Sequence, residues 1–306
     1  MSDTLASLRH KIGGAGDLKS VVRSMKALAA SSIGQYEKSV LALGDYYRTL
    51  ELGLAVCLRA PATGAESQTD PADADAPTAR LSTTVSAVVF GSDQGLVGQF
   101  NDVLAEFVAK EMSALPGAKR VWAVGDRIGS RLADAGLPPV GTFVVPTSVN
   151  AIAPLVGQIL LRIESFRGPD AVGRLDLFHN APRAGAGYEP VRQRLLPLDA
   201  EWGLRLAHLP WPSGNRPEVI GGREATLRAL VREYLFVSLY KACAESLASE
   251  NASRLAAMQR AEKNIDDLVG TLQQRFRRLR QASIDEELFD VLSGYESSSN
   301  KNSVPF

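Results

Sequence analysis

The amino-acid sequence predicts an α/β domain with a mainly parallel sheet, inserted between two long terminal helices that form an antiparallel coiled coil. Three observations lead there. Apolar or small side chains recur at steps of three and four from Leu5 to Leu54, a narrow stripe along one helix. A second stretch, from Glu224 to about Leu292, carries a similar stripe and no proline. Between them, short β-rich runs alternate with helical patterns, the order expected of a parallel sheet covered by helices.

Taken in order, residues 1–58 form the N-terminal coiled-coil helix, with Leu8, Leu18, Val22, Met25, Ala29, Ile33, Tyr36, Val40, Leu50 and Leu54 on the stripe. Gly13, Gly14 and Gly16 interrupt it. Each interior glycine costs about 1 kcal/mol relative to alanine, so a bend or break is expected there. Residues 59–80, rich in Ala, Pro, Asp and Thr and nearly free of large apolar groups, are expected to be a flexible linker. The α/β domain occupies 81–210. Its strands are read at "STTVSAVVF", "RVWAVG", "VGTFVVP", "GRLDLFHNAP" and "VRQRLLPL", and its helices at "DVLAEFVAKEMSAL", "DRIGSRLADAG" and "NAIAPLVGQILLRIESF". Prolines 210, 212 and 217 with paired glycines mark a linker over 211–222, the C-terminal coiled-coil helix follows over 223–294, and 295–306 is a polar tail. Neither terminal stripe has a sheet of its own to pack on, so the two are expected to pack on each other.

Composition narrows the function. With 34 Lys+Arg against 34 Asp+Glu, no global field favours nucleic acid or an acidic membrane surface. Three scattered histidines and two isolated cysteines give no metal-ligand spacing, and a reducing compartment is the economical reading of Cys57 and Cys243. No window approaches ~18 uncharged apolar residues, and the N-terminus reads as an amphipathic helix, not a secretory signal. The expected chain is soluble, binds no cofactor and meets a membrane only through partners.

One stretch looks like nucleotide chemistry. "FGSDQGLVGQFND", residues 90–102, lies between a strand and a helix, as a phosphate loop would. Its glycines, Gly91, Gly95 and Gly98, fit neither the dinucleotide nor the P-loop pattern, and a tight structural turn would use the same letters. "QRFRRLRQ" is similarly two-sided: a phosphate-binding basic patch, or a helix facing solvent or a partner, the reading favoured by the carboxylates that follow it.

The C-terminal helix carries a more specific signal. Ser246, Ser249, Glu250, Arg254, Ala257, Met258, Ala261 and Asn264, then Arg280, Gln281, Ile284, Glu287, Val291 and Gly294, stand at the spacing of the γ subunit of F-type ATP synthases, which the chain strongly resembles. "GSDQGLVGQFN" resembles that family's signature turn, through Ser92, Asp93, Gly95, Gly98 and Asn101. "VVRSMKALAASS" and "LLPL" are also similar to the family's pattern, so the resemblance covers nearly the whole chain. Gln94, Val97, Gln99, Ser32, Gln35 and Asp285 depart from it. Those departures resemble a divergent form from an alternative, sodium-pumping ATPase operon.

The resemblance implies a non-catalytic rotor shaft. Its partners would be the α and β subunits of the catalytic ring, an ε subunit and the membrane c-ring, on the cytoplasmic face of a bacterial inner membrane. It also implies rotor–stator contacts at Met25, Lys26, Arg254, Arg280, Gln281 and Asp285. Met25 can equally be a stripe residue, Glu250 and Arg254 can pair within their helix, and Asp285 facing acidic loops would need a basic partner group. The competing reading is a nucleotide-binding α/β enzyme with long helical appendages. A third is an unrelated coiled-coil scaffold.

Overall fold

The computed structural model describes residues 4–59, 84–165, 173–183, 187–198, 200–215, 217–220 and 222–301. The linker expected over 59–80 lies outside them save for Arg59, as does the end of the expected tail, 302–306. The elements are α1 (Leu5–Leu58), β1 (Val85–Phe90), α2 (Phe100–Ser113), β2 (Lys119–Val124), α3 (Asp126–Asp134), β3 (Gly141–Phe143), a 3-10 turn (Val149–Ala151), α4 (Ile152–Glu164), β4 (Arg174–Arg183), β5 (Gly187–Leu196), α5 (Ala200–Ala207) and α6 (Arg223–Lys301). Helices α1 and α6 run for 54 and 79 residues. The chain divides into two units: Met1–Leu28 with Leu255–Phe306, and Ala29–Arg254.

The first unit is a pair of antiparallel helical segments. Its buried positions repeat every seven residues: Leu8, Ala15 and Val22 on α1, and Met258, Ile265 and Leu272 on α6. A seven-residue apolar repeat is the seam of a left-handed supercoil. Ala15, Val22, Met258 and Ile265 pack with Met25, Ala257, Ala261 and Val269. The expected break at the three glycines does not occur. An added Cβ at Gly13, Gly14 or Gly16 would meet open space, so no side chain or turn disrupts the helix, and packing of the seam offsets their low propensity. Leu18, placed on the stripe by sequence, is exposed.

The second unit holds a five-stranded sheet in the order β3-β2-β1-β4-β5. All neighbours are parallel except β4 and β5, which form an antiparallel pair. Alternation along the strands divides the core. Val85, Ala87, Val89, Val121 and Ala123 face α2 and α3. Val88, Phe90, Trp122, Val124, Leu175 and Leu177 face α4 and, from the terminal helices, Tyr36, Leu239, Ala242, Cys243 and Leu247. The seven-residue repeat reappears here, as Ala29 and Tyr36 on α1 and Val237 and Ala244 on α6.

Two elements differ from the sequence reading. Helix α5 was not expected; its two turns bury Leu206 and half-bury Trp202 against Leu54, Tyr234 and Leu230. The backbone of α6 continues through Gly294 to Lys301, and one interior glycine is too small a penalty to end so long a helix.

Candidate functional site

In a sheet of this topology, ligands usually bind beyond the carboxyl ends of the strands, where the strand order reverses. Here that point lies between β1 and β4, and the signature turn after β1 sits on it. Its polar groups are satisfied from within. Asn101, at the start of α2, accepts the Ser92 N–H at 3.1 Å through Oδ1 and donates from Nδ2 to Ser92 Oγ at 2.8 Å. The Ser92 hydroxyl in turn donates to the Gln94 carbonyl at 2.9 Å. Asp93 spans two segments, accepting the N–H of Asp126 at 2.9 Å and that of Val145 at 2.8 Å. Asp126 opens α3, so the carboxylate of Asp93 occupies the helix N-terminus where a phosphate would otherwise be drawn.

The glycines fit this construction. A Cβ on Gly91 would lie 2.3 Å from Cβ of Ile128 and 2.8 Å from Oδ1 of Asn101, so the turn admits no side chain there. Gly98 has φ of 59°, the left-handed region that glycine enters without penalty. Gly95 is under no such constraint, its nearest neighbour being Arg127 Nη2 at 3.7 Å.

Helix α6 completes the joint. The Ser246 hydroxyl donates to the carbonyl of Phe90, the last residue of β1, at 3.1 Å, and the Ser253 hydroxyl donates to the Val97 carbonyl. His179 on β4 meets Glu245 on α6 at 2.8 Å through Nε2. Beside the turn, a cavity of about 210 Å³ is lined by Tyr36, Asp93, Glu250 and Arg254 among others. Burial pushes the Glu250 carboxyl up against the opposing pull of Arg254, whose Nη2 donates to it at 2.6 Å. Ser253, His179 and Glu245 were not singled out from sequence. The readable signal was a row of serines, Ser246, Ser249 and Ser253, at steps of three and four along one face of α6.

The candidate contact residues do not form one site. In the first unit, Lys26 and Arg23 both hold Glu262, at 2.5 and 2.8 Å, and Lys19 pairs with Asp266. These hydrogen bonds pull the Glu262 carboxyl down to about 2. Met25 is half-buried in the seam. Arg280, Gln281 and Asp285 stand exposed on α6, whereas Arg254, in the second unit, is committed to Glu250 and Asn251. After Leu279, α6 exposes Ile284, Leu288, Phe289, Val291 and Leu292 to between 47% and 70%. Among the described residues, no helix is long and apolar enough to cross a membrane, and no group of His, Cys, Asp and Glu could hold a metal ion.

The family model described as ATP synthase matches residues 4–297. The ATP synthase gamma chain of Anaeromyxobacter sp. (strain Fw109-5) is 26% identical over 96% of this chain and 99% of its own length. That of Nostoc punctiforme is 27% identical over 96% and 98%. Among solved structures, the fold is similar to a chain of the Euglena gracilis mitochondrial ATP synthase (OSCP/F1/c-ring, rotational state 3), with a TM-score of 0.64 at 14% identity, covering 99% of this chain and 97% of that one. It is also similar to a chain of the Tetrahymena thermophila central stalk/c-ring, with a TM-score of 0.51 at 21% identity, covering 79% and 99%. Two long helices in contact, an α/β domain whose ligand crevice is filled by its own α6, and a match spanning nearly the whole sequence converge on one conclusion: the chain belongs to the ATP synthase gamma chain family, the non-catalytic central-stalk rotor of the F1 sector.

Proposed function

We propose that the end of α6 after Leu279 is the part of this rotor that turns inside the ring of α and β subunits, and that the second unit couples to an ε subunit and a membrane c-ring. The observation that carries the reading is the run of exposed apolar side chains from Ile284 to Leu292, on a helix that has outrun its partner. Arg9 lies over the ring of Phe276, 5.8 Å from its centroid, so α1 has about one turn left before its start at Leu5. A stripe of that size in water calls for a sleeve of protein around it. The guanidinium of Arg280 and the carboxamide of Gln281 suit the carboxylates and carbonyls of such a sleeve.

In this reading the chain performs no acid, base or nucleophilic chemistry. Its asymmetry biases each catalytic subunit toward a different conformation, and rotation cycles them. It attaches to the cytoplasmic face of a bacterial inner membrane only through the complex. The departures at Gln94, Val97 and Gln99 support an alternative, sodium-coupled form.

The test is the Arg280→Ala/Gln281→Ala double variant, assembled with its native partners and reconstituted in vesicles. The α/β domain stays folded, and ion pumping per ATP hydrolysed falls. Unchanged ATP-driven pumping would remove both residues from the mechanism. Stimulation of the parent complex's ATPase by sodium, measured alongside, tests the coupled ion.

A further inference from the structure

The cavity of about 210 Å³ beside the signature turn lies beyond the carboxyl ends of β1 and β3, where α1 and α6 also reach it. Three of its lining residues are charged: Asp93 from the turn, and Glu250 and Arg254 from α6. Tyr36 comes from α1, and Val145 to Thr147, after β3, bring no charge. One guanidinium therefore shares the cavity with two carboxylates. It is bonded to one of them: Arg254 Nη2 donates to Glu250 Oε1 at 2.6 Å, and Nη1 reaches Asn251 Oδ1 at 3.4 Å.

The two acids differ in how they are held. Both oxygens of Asp93 accept backbone N–H groups, from Asp126 and Val145. Glu250 has a donor on Oε1 alone. Its Oε2 is buried and meets no hydrogen-bond donor among the described residues, in a side chain that is 8% exposed. A proton on Oε2 displaces no existing bond, whereas a proton on Asp93 would compete with a backbone donor, so Glu250 is the acid that takes it. Burial pushes the Glu250 carboxyl up, Arg254 pulls it down, and the Asp93 carboxylate adds to the push. The other titratable neighbours stay neutral: burial, and after it the Glu250 charge, hold the Tyr36 phenol and the Cys243 thiol above their ordinary ranges.

A proton on Glu250 leaves Arg254 bonded to a neutral acid, an interaction roughly half as strong as one to a carboxylate. Asp93 is then the anion that remains among the cavity's lining residues, and each of its oxygens keeps a second lone pair. We infer that Glu250 is a proton-operated switch on Arg254: ionised, it holds the guanidinium within α6, and protonated on Oε2 it releases the guanidinium across the cavity to Asp93. Protonation thereby exchanges a pair internal to the helix for one that ties α6 to the signature turn. The switch lies wholly in the second unit and does not rest on the rotor reading.

The test is a nuclear magnetic resonance titration of the full chain, labelled at the glutamate carboxyl carbons and the arginine side-chain nitrogens, from about pH 4 to 8, a span that reaches well above the ordinary glutamate value of about 4.3. The two signals are assigned by their loss in Glu250→Gln and Arg254→Lys. The expected result is a Glu250 step with its midpoint above the ordinary glutamate value, and an Arg254 Nε shift that follows the same midpoint. In Glu250→Gln, neutral at every pH, the Arg254 signal should stay at its low-pH position throughout. In Asp93→Asn the Arg254 step should vanish and the Glu250 midpoint should fall. The parent's titration decides even if that variant does not fold. A Glu250 midpoint at or below the ordinary value, an Arg254 signal that does not follow Glu250, or an Arg254 step that persists in Asp93→Asn overturns the inference.

Discussion

Adding one methyl group at Gly91 tests whether the signature turn is a joint. In Gly91→Ala the new Cβ would stand 2.3 Å from Cβ and 2.5 Å from Cγ2 of Ile128. Ordinary carbon contacts lie at about 3.5–4.0 Å, so more than an ångström must be found. Rotation about χ1 of Ile128 cannot supply it, because the nearest atom is Cβ itself; α3 must move away from β1. Overpacking of this kind costs about 1–3 kcal/mol. The third contact, Asn101 Oδ1 at 2.8 Å, is the acceptor of the buried Ser92 N–H, and losing that bond adds about 1–3 kcal/mol. A total near 3 kcal/mol corresponds to a fall of roughly 6–12 °C in Tm for a unit of this size. Gly91 lies outside the left-handed region, so the effect is one of space alone. Gly95→Ala in the same turn is the control, expected to stay within about 0.5 kcal/mol of the parent because its Cβ meets only ordinary contact. Thermal unfolding of both variants decides. A Gly91→Ala protein as stable as the parent, or a Gly95→Ala protein that falls as far, would refute the reasoning.

Asp176→Asn removes the charge that faces Arg174 and Arg192 in a fully buried position, and a loss of about 3–5 kcal/mol is expected in chemical denaturation. Ser246→Ala leaves the Phe90 carbonyl without its α6 donor, with an expected cost of about 1–3 kcal/mol and faster hydrogen exchange at the end of β1. For Glu262, Arg23 and Lys26 hold the folded carboxyl at about 2, below its unfolded value of about 4.3. Its contribution is therefore complete above about pH 4.3 and lost as pH falls toward 2. The helical signal of the parent should drop across that window, and Glu262→Gln should flatten the drop while lowering stability at neutral pH.

The sequence carried the fold well because its two periodicities do not overlap. Steps of three and four mark α1 and α6, while the alternation of buried strands with amphipathic helices marks β1 to β5. What it hid is more instructive. Helix α5 is only two turns long, too short for a period to show, and rests on Trp202 and Leu206 reaching across to residues of α1 and α6. A cavity of about 610 Å³ is lined by Arg174, Arg192, Arg194 and Arg205, which come from β4, β5 and α5, so no window of sequence shows them as a cluster. The signature turn was legible as a strand–turn–helix junction but not as a joint. The partners of Phe90 and Val97 lie 156 residues further along the chain.

The way α6 is fixed to the sheet bears on what a rotor subunit must withstand. Apolar packing resists separation, because pulling surfaces apart exposes them to water, but it discriminates weakly against sliding or turning in place, since one methyl contact replaces another. Directional bonds at fixed atoms remove that freedom. Ser246, Glu245 and Ser253 span just over two turns of α6 and are held by Phe90, His179 and Val97, which belong to β1, β4 and the signature turn. Three anchors on two adjacent strands and a loop fix both the axial position and the rotation of this stretch of helix. The small buried residues beside them, Ala244 and Ala248, let the backbone approach closely enough for serine, one of the shortest polar side chains, to reach. A longer polar side chain could bridge a wider gap, but with more rotamers and a softer hold. Serines on a closely packed helix face therefore suit a connection that has to carry torque between the sheet and α6 without slipping.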